Sequence, residues 1–144
     1  MQLNQATDYA FRVVLHLAGA PGRIISGQII AEQQKIPPQF LQKIMRSLAK
    51  AEIVKSHRGV DGGFELARSP YKITLLSVIE AMEGHISLNR CLGEQTSYNK
   101  CCTEVCPVHK ALENIQGQFL QALSQVNFAT LAQENKREVD ICYG

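Results

Sequence analysis

Several things are missing from the 144-residue sequence, and each absence excludes something. No apolar run reaches the roughly 18 residues needed to span a bilayer, so no membrane helix is expected. The opening "MQLNQATDYAFRVVLHLAG" has no basic segment ahead of its apolar part, and Asp8 and Arg12 interrupt it. That pattern argues against a secretory leader and sets a cytoplasmic expectation. There is no Ser/His/Asp set, no glycine loop to cradle phosphates and no pair of carboxylates suited to a cleft, so an enzyme would lack machinery. Repeats and low-complexity segments are absent. Charge of one sign is scarce overall, with a net +2. Cysteines number five, an odd count that fits a disulfide framework poorly. In a reducing compartment, clustered cysteines more often bind metal or sense redox state.

What is present is an ordinary globular composition, 45% hydrophobic and 19% charged, with an uneven distribution. Residues 35 to 72 hold eight Lys/Arg against three Asp/Glu, and residues 73 to 144 hold five against eight. A basic module beside an acidic one suggests that the first meets a polyanion.

Helical spacing of Leu3, Ala6, Ala10, Val13, Val14 and Leu17 predicts a helix over 3–19, ended by "GAPG". Ser26 is a suitable N-cap for a second helix in "ISGQIIAEQQKI". "KIPPQ" breaks the chain, and a third helix follows in "PQFLQKIMRSLAKAEI", because proline is welcome in a first turn. Its inner stripe is Phe40, Leu41, Ile44, Met45 and Leu48; Gln39, Gln42, Lys43, Arg46 and Lys50 mark the outer face. Two short helices joined by a tight turn form a helix-turn-helix. Two β-type runs, "IVKSHRG" and "GFELAR", flank Asp61-Gly62-Gly63, a turn sequence suited to φ > 0. The sum is a winged helix with Lys55, His57 and Arg58 at the wing root.

"ITLLSVIEAMEG" (73–84) predicts a further helix, capped by Thr74 and stopped by Gly84. A loop without periodicity follows. From about Pro107 a long amphipathic helix carries Leu112, Ile115, Phe119, Ala122, Leu123 and Val126 on one stripe. A stripe of this length marks a dimer interface. "NFATLAQENKR" predicts a last short helix capped by Thr130, and "EVDICYG" a loosely ordered tail. The fold class expected is therefore mostly α with a small β-wing: a winged helix-turn-helix over 1–72, then a linker helix, a cysteine-rich loop (about 88–109) and dimerisation helices over 73–144.

The stretch "RCLGEQTSYNKCCTEVCPVH" (90–109) packs four of the five cysteines and one of the four histidines into twenty residues. Cys91, the pair Cys101/Cys102 and Cys106 give three sulfur positions, and His109 follows Cys106 by one helical turn, so the two share a face. A tetrahedral zinc site is one reading, with Cys102 and Cys106 as a knuckle completed by Cys91 and His109. An iron–sulfur cluster on three thiolates with one weaker ligand is another, and suits a sensor. A thiol–disulfide switch is the third.

These features together resemble the Rrf-type winged-helix repressors, whose branches include IscR-like, NsrR-like and RirA-like regulators. The resemblance is carried over nearly the whole chain by "TDYAFR" (7–12), "IAEQQKIPPQFLQKIMRSLAKAEIV" (30–54), "RGVDGGFEL" (58–66), "ITLLSVIEAMEG", "CPVH" (106–109) and "TLAQEN" (130–135). It implies a homodimer joined by the long helices, with a [2Fe–2S] or [4Fe–4S] cluster near each DNA-binding module. By position, Cys91 and Cys106 match the first and third ligands. The family commonly leaves five residues between its second and third cysteines; that position here is Lys100, so Cys101 is one residue off and Cys102 two. Cys101 is taken as the middle ligand, with Cys102 its alternative. His109 matches the fourth ligand of IscR-like members. Asp8 matches the carboxylate that NsrR-like members extend from the partner subunit.

For DNA reading, Gln39, Gln42 and Lys43 lie where helix-turn-helix residues reach base edges, with Gln28 on the preceding helix. Arg46 and Lys50 suit phosphates. His57 and Arg58 with Val60 and Asp61 form a wing that suits the neighbouring minor groove. Phe40 is expected in the core, with a thymine methyl as its alternative contact. The expected function is a dimeric repressor on near-palindromic double-stranded DNA, controlled by a cluster that responds to nitric oxide, iron, redox state or cluster supply. The alternatives are a cluster-free thiol regulator or a zinc-containing one and, more remotely, an iron–sulfur or zinc enzyme.

Overall fold

A computed structural model describes residues 2–93 and 106–143, without the side chains of 139–143. Cys101 and Cys102 lie outside the described residues. Among the described residues, six α-helices and one two-stranded sheet follow the order α1 (Gln5–Ala18), α2 (Gly27–Gln34), α3 (Pro38–Lys50), β1 (Val54–His57), β2 (Gly63–Leu66), α4 (Leu75–Glu83), α5 (Pro107–Gln125) and α6 (Phe128–Tyr143).

The core is built on α1. Ala10, Val13, Val14 and Leu17 recur at helical spacing and are fully buried. The helix starts two residues later than the spacing alone predicts. Asn4 caps it by accepting from the Thr7 N–H at 2.9 Å, which leaves Leu3 outside and exposed. Ser26 caps α2 by accepting from the Ile29 N–H. Pro38 opens α3, whose Leu41, Ile44, Met45 and Leu48 pack on α1 and α2. A proline at a first helical position loses no hydrogen bond, since that N–H has no partner within the helix.

Strands β1 and β2 pair antiparallel, with Val54 opposite Leu66 and His57 opposite Gly63. Phe64 also exchanges two backbone hydrogen bonds with Ile25, at 2.8 and 2.9 Å, which docks the wing onto the segment leading into α2. The turn differs in part from the Asp61-Gly62-Gly63 expectation. Positive φ is found at Gly63 (+159°) and also at Gly59 (+106°), but not at Asp61 or Gly62, and Gly62 donates to the Gly59 carbonyl. A five-residue loop therefore connects the strands. Gly63 is needed for another reason: a Cβ there would sit 2.3 Å from the Ile25 carbonyl oxygen.

Thr74 and Ser77 form a reciprocal capping box at the start of α4, and Gly84 ends it at φ +77°. The chain later returns to this point. Phe128 donates to the Ile73 carbonyl at 2.9 Å, and Leu75 donates to that of Val126 at 3.0 Å. Phe128 is buried against the core, with its ring 6.4 Å from that of Phe11. The last helix departs from the sequence reading in two ways. Its first turn is capped by Asn127, which accepts from the Thr130 N–H at 2.9 Å, because both residues are good caps and Asn lies immediately outside the helix. It also runs on to Tyr143, where a loose tail was expected.

Candidate DNA-reading surface and cysteine site

Burial of one face of α3 fixes what the other presents. Gln39, Gln42, Lys43, Arg46 and Lys50 are all exposed, and the helix carries no acidic residue. Phe40 corrects its expected place in the core. It sits at the margin of the apolar stripe, 47% exposed, with its ring edge-on to Tyr9 at 6.4 Å. The Arg12 guanidinium lies 5.5 Å from the centre of the Tyr9 ring, a cation–π arrangement. Sequence spacing missed this cluster because Tyr9 and Phe40 belong to different helices.

Gln28 is exposed and donates to Glu32 on its own helix. At the wing tip Val60 is fully exposed beside Arg58 and Asp61, also exposed. An apolar side chain held in water at a hairpin tip, next to a guanidinium, suits insertion into a groove. His57 is anchored: its Nε2 lies 2.8 Å from Glu65 Oε1, which orients the wing root.

The cysteine site lies where the chain enters α5. Cys91 sits in a short 3-10 turn, Arg90–Leu92, packed against α5, and Cys106 is the residue immediately before that helix. Both thiols are free and half-buried. Cys106 makes no side-chain capping bond. One turn on, His109 Nδ1 is buried without a hydrogen-bond partner, which costs about 1–3 kcal/mol if nothing engages it. Cys106 and His109 at the start of α5, with Cys91 in a turn packed against that helix, offer the donor types of a thiophilic metal group. Among the described residues, no cluster of three or more His, Cys, Asp or Glu is assembled for a metal. Asp8 is engaged with Arg12, at 2.7 Å on the surface of α1.

Two polar residues that sequence reasoning did not single out shape this end of the molecule. Gln116, buried on α5, accepts from the Leu88 N–H at 2.8 Å and so clamps the segment leading to Cys91. Glu83, the last residue of α4, accepts from the Asn4 N–H and the Thr7 hydroxyl, tying the start of α1 to the same region. A glutamine one turn beyond Leu112 was the available signal for Gln116.

Beyond the clamp, α5 buries almost nothing. Val108, Ile115 and Phe119 are 62%, 54% and 36% exposed. Steps of seven and four residues place them on one face.

The family described as Rrf2, iron-dependent transcriptional regulator, matches residues 3–134. The HTH-type transcriptional regulator NsrR of Shouchella clausii is 30% identical over 127 residues, covering 87% of this chain and 84% of that one. Among solved structures, T. potens IscR superposes with a TM-score of 0.72 at 23% identity, over 94% of this chain and 88% of that one. CymR (YrzC), the global cysteine regulator of B. subtilis, gives 0.70 at 22%, over 93% and 98%. At those identities the two structures establish the fold alone. The exposed basic α3, the wing and the family relationship agree: the chain belongs to the Rrf2 family of winged-helix, DNA-binding transcriptional regulators and is not an enzyme.

Proposed function

We propose that this regulator is a homodimeric repressor whose operator affinity depends on an iron–sulfur cluster. The ligands are Cys91, Cys106, one of Cys101 and Cys102, and either His109 or Asp8 of the partner subunit. The observation that supports this reading is the free Cys106 thiol followed one turn on by the orphaned His109 Nδ1 at the start of α5, with the free Cys91 thiol in a turn packed against that helix. The clusterless, thiol-based alternative draws on those same free thiols and on the fold shared with CymR.

A bound cluster supplies one-electron redox chemistry and reactivity toward small oxidants and nitric oxide. The chain's own residues supply the coupling. Cys106 leads directly into α5, and the Leu88–Gln116 hydrogen bond holds the segment before Cys91 against that helix. Through Glu83, the same region holds the start of α1, and Tyr9 on α1 touches Phe40 on α3. Residues 1–72 read the DNA and 73–144 hold the dimer and the sensor. The exposed face of α5 pairs two copies, which sets the separation of two recognition helices and calls for a near-palindromic operator. A coupling of about 1–3 kcal/mol changes DNA affinity by roughly 5–150-fold.

Protein purified without air tests the cluster. Iron and acid-labile sulfide with visible absorption, both lost in Cys91→Ala and Cys106→Ala, are expected; a colourless protein with stoichiometric zinc sinks the proposal. The DNA-reading assignment is tested by a Gln39/Lys43/Arg58 alanine triple. It should abolish specific operator binding at unchanged melting temperature, since removal of each base contact costs about 1–3 kcal/mol.

A further inference from the structure

At the far end of α1 from Asp8, a second site opens between α1, α2 and α6. It is a cleft of about 480 Å³, within the size range of small-molecule pockets. One wall is apolar: Leu15 from α1, Ile24 from the following loop and Ile29 from α2. Ile24 and Ile29 are more than two-fifths exposed, so these β-branched side chains meet solvent around an open cleft. The lining also carries Arg23 and, from α6, Asn135 and Lys136. Among the described residues no carboxylate lines it. His16 contributes its ring, with Nε2 shut off from water and unpartnered.

We infer that this cleft is a binding site for a small amphipathic monocarboxylate, its carboxylate held by Arg23 and Lys136 and its chain laid along Leu15, Ile24 and Ile29. Two cations in a lining that is otherwise largely apolar select an anion with a tail over a neutral alcohol or an amine. A bare inorganic anion would leave the apolar wall uncovered. An occupant joins α6, which continues directly from the α5 arm, to α2, the first helix of the DNA-reading pair. The site therefore suits an effector, and it is independent of the cysteine reading. None of its residues belongs to the proposed DNA-contacting or cluster-holding set.

Calorimetric titration of the full chain with hexanoate, hexan-1-ol and hexylamine tests the assignment. Hexanoate should bind saturably at one site per chain, and hexan-1-ol at least about tenfold more weakly, because it forgoes the charge-assisted bonds. Hexylamine should not bind. Arg23→Ala and Lys136→Ala should each weaken hexanoate about tenfold or more at unchanged melting temperature. Ile29→Trp, which fills the cleft, should abolish binding without touching either cation. No saturable hexanoate binding up to about 10 mM, equal binding of hexan-1-ol, or undiminished binding in all three variants overturns the proposal. So does a result in which the two cation variants lower only operator affinity and hexanoate never binds, since the face would then be a phosphate contact.

Discussion

Ile115→Glu tests the proposed dimer at its centre. Ile115 is 54% exposed in the single chain. Full burial of such a side chain is worth about 1.5–3 kcal/mol, so covering the exposed half gains about 0.8–1.6 kcal/mol. A two-fold interface uses the residue twice, which makes the loss about 1.6–3.2 kcal/mol per dimer and the dissociation constant roughly 15–200-fold larger. That figure is a floor, because a carboxylate in an apolar contact adds a desolvation cost. In the isolated chain the substitution is at a solvent-facing position and should change stability by only about 0.5 kcal/mol or less. Sedimentation equilibrium across a concentration series reads the constant directly. Gln121→Glu is the control: it is exposed on the same helix but about 120° away around it, and should leave association intact. A dissociation constant for Ile115→Glu within about threefold of the parent would refute the assignment of this face.

Two further outcomes follow from particular contacts. Gly63→Ala places a Cβ 2.3 Å from the Ile25 carbonyl oxygen and must part the Ile25–Phe64 bridge; a loss of about 1–3 kcal/mol is expected, seen as a melting temperature several degrees lower, and an unchanged melting curve would contradict the packing described. Burial lowers the His16 pKa from its ordinary value of 6.5, so the folded ring stays neutral while the unfolded ring takes up a proton. The stability linked to it is intact above about pH 6.5 and falls as pH drops below that value toward the depressed folded pKa. In His16→Gln this component disappears, and the melting-temperature gap between parent and variant should change between about pH 7.5 and 5.5; a constant gap would show that His16 titrates alike in both states.

Much of this was legible in the sequence because local rules and tertiary packing agree there. Pro37-Pro38, the Leu41–Ile44–Met45–Leu48 stripe and the Ser26 and Thr74 caps each specify one helix boundary or face, and the structure keeps all of them. The exposed side chains of α3 follow directly, since a helix with one buried face has its other face assigned. Legibility failed where two local choices were equally good or where the deciding partner was distant. Asn127 and Thr130 are both competent caps, and Gly59 took the left-handed turn position that the Asp61-Gly62 pair also advertises. Phe40 has the right period for the core but meets Tyr9 at its margin. The Glu83 and Gln116 hydrogen bonds span 79, 76 and 28 positions, and no periodicity encodes such pairings. The cleft beside His16 needs three helices to exist at all.

The seating of Phe128 has a consequence for how the molecule is made. It is among the largest fully buried side chains and packs against Phe11 on the first helix, yet it lies 117 positions further along the chain. During synthesis, where N-terminal parts begin folding first, α1 waits for a partner that leaves the ribosome long after it. The winged helix therefore completes its packing only when the arm that would recruit a second copy is also available. A truncated or stalled nascent chain would lack the finished α1 packing, so incomplete copies are poorly equipped to occupy an operator.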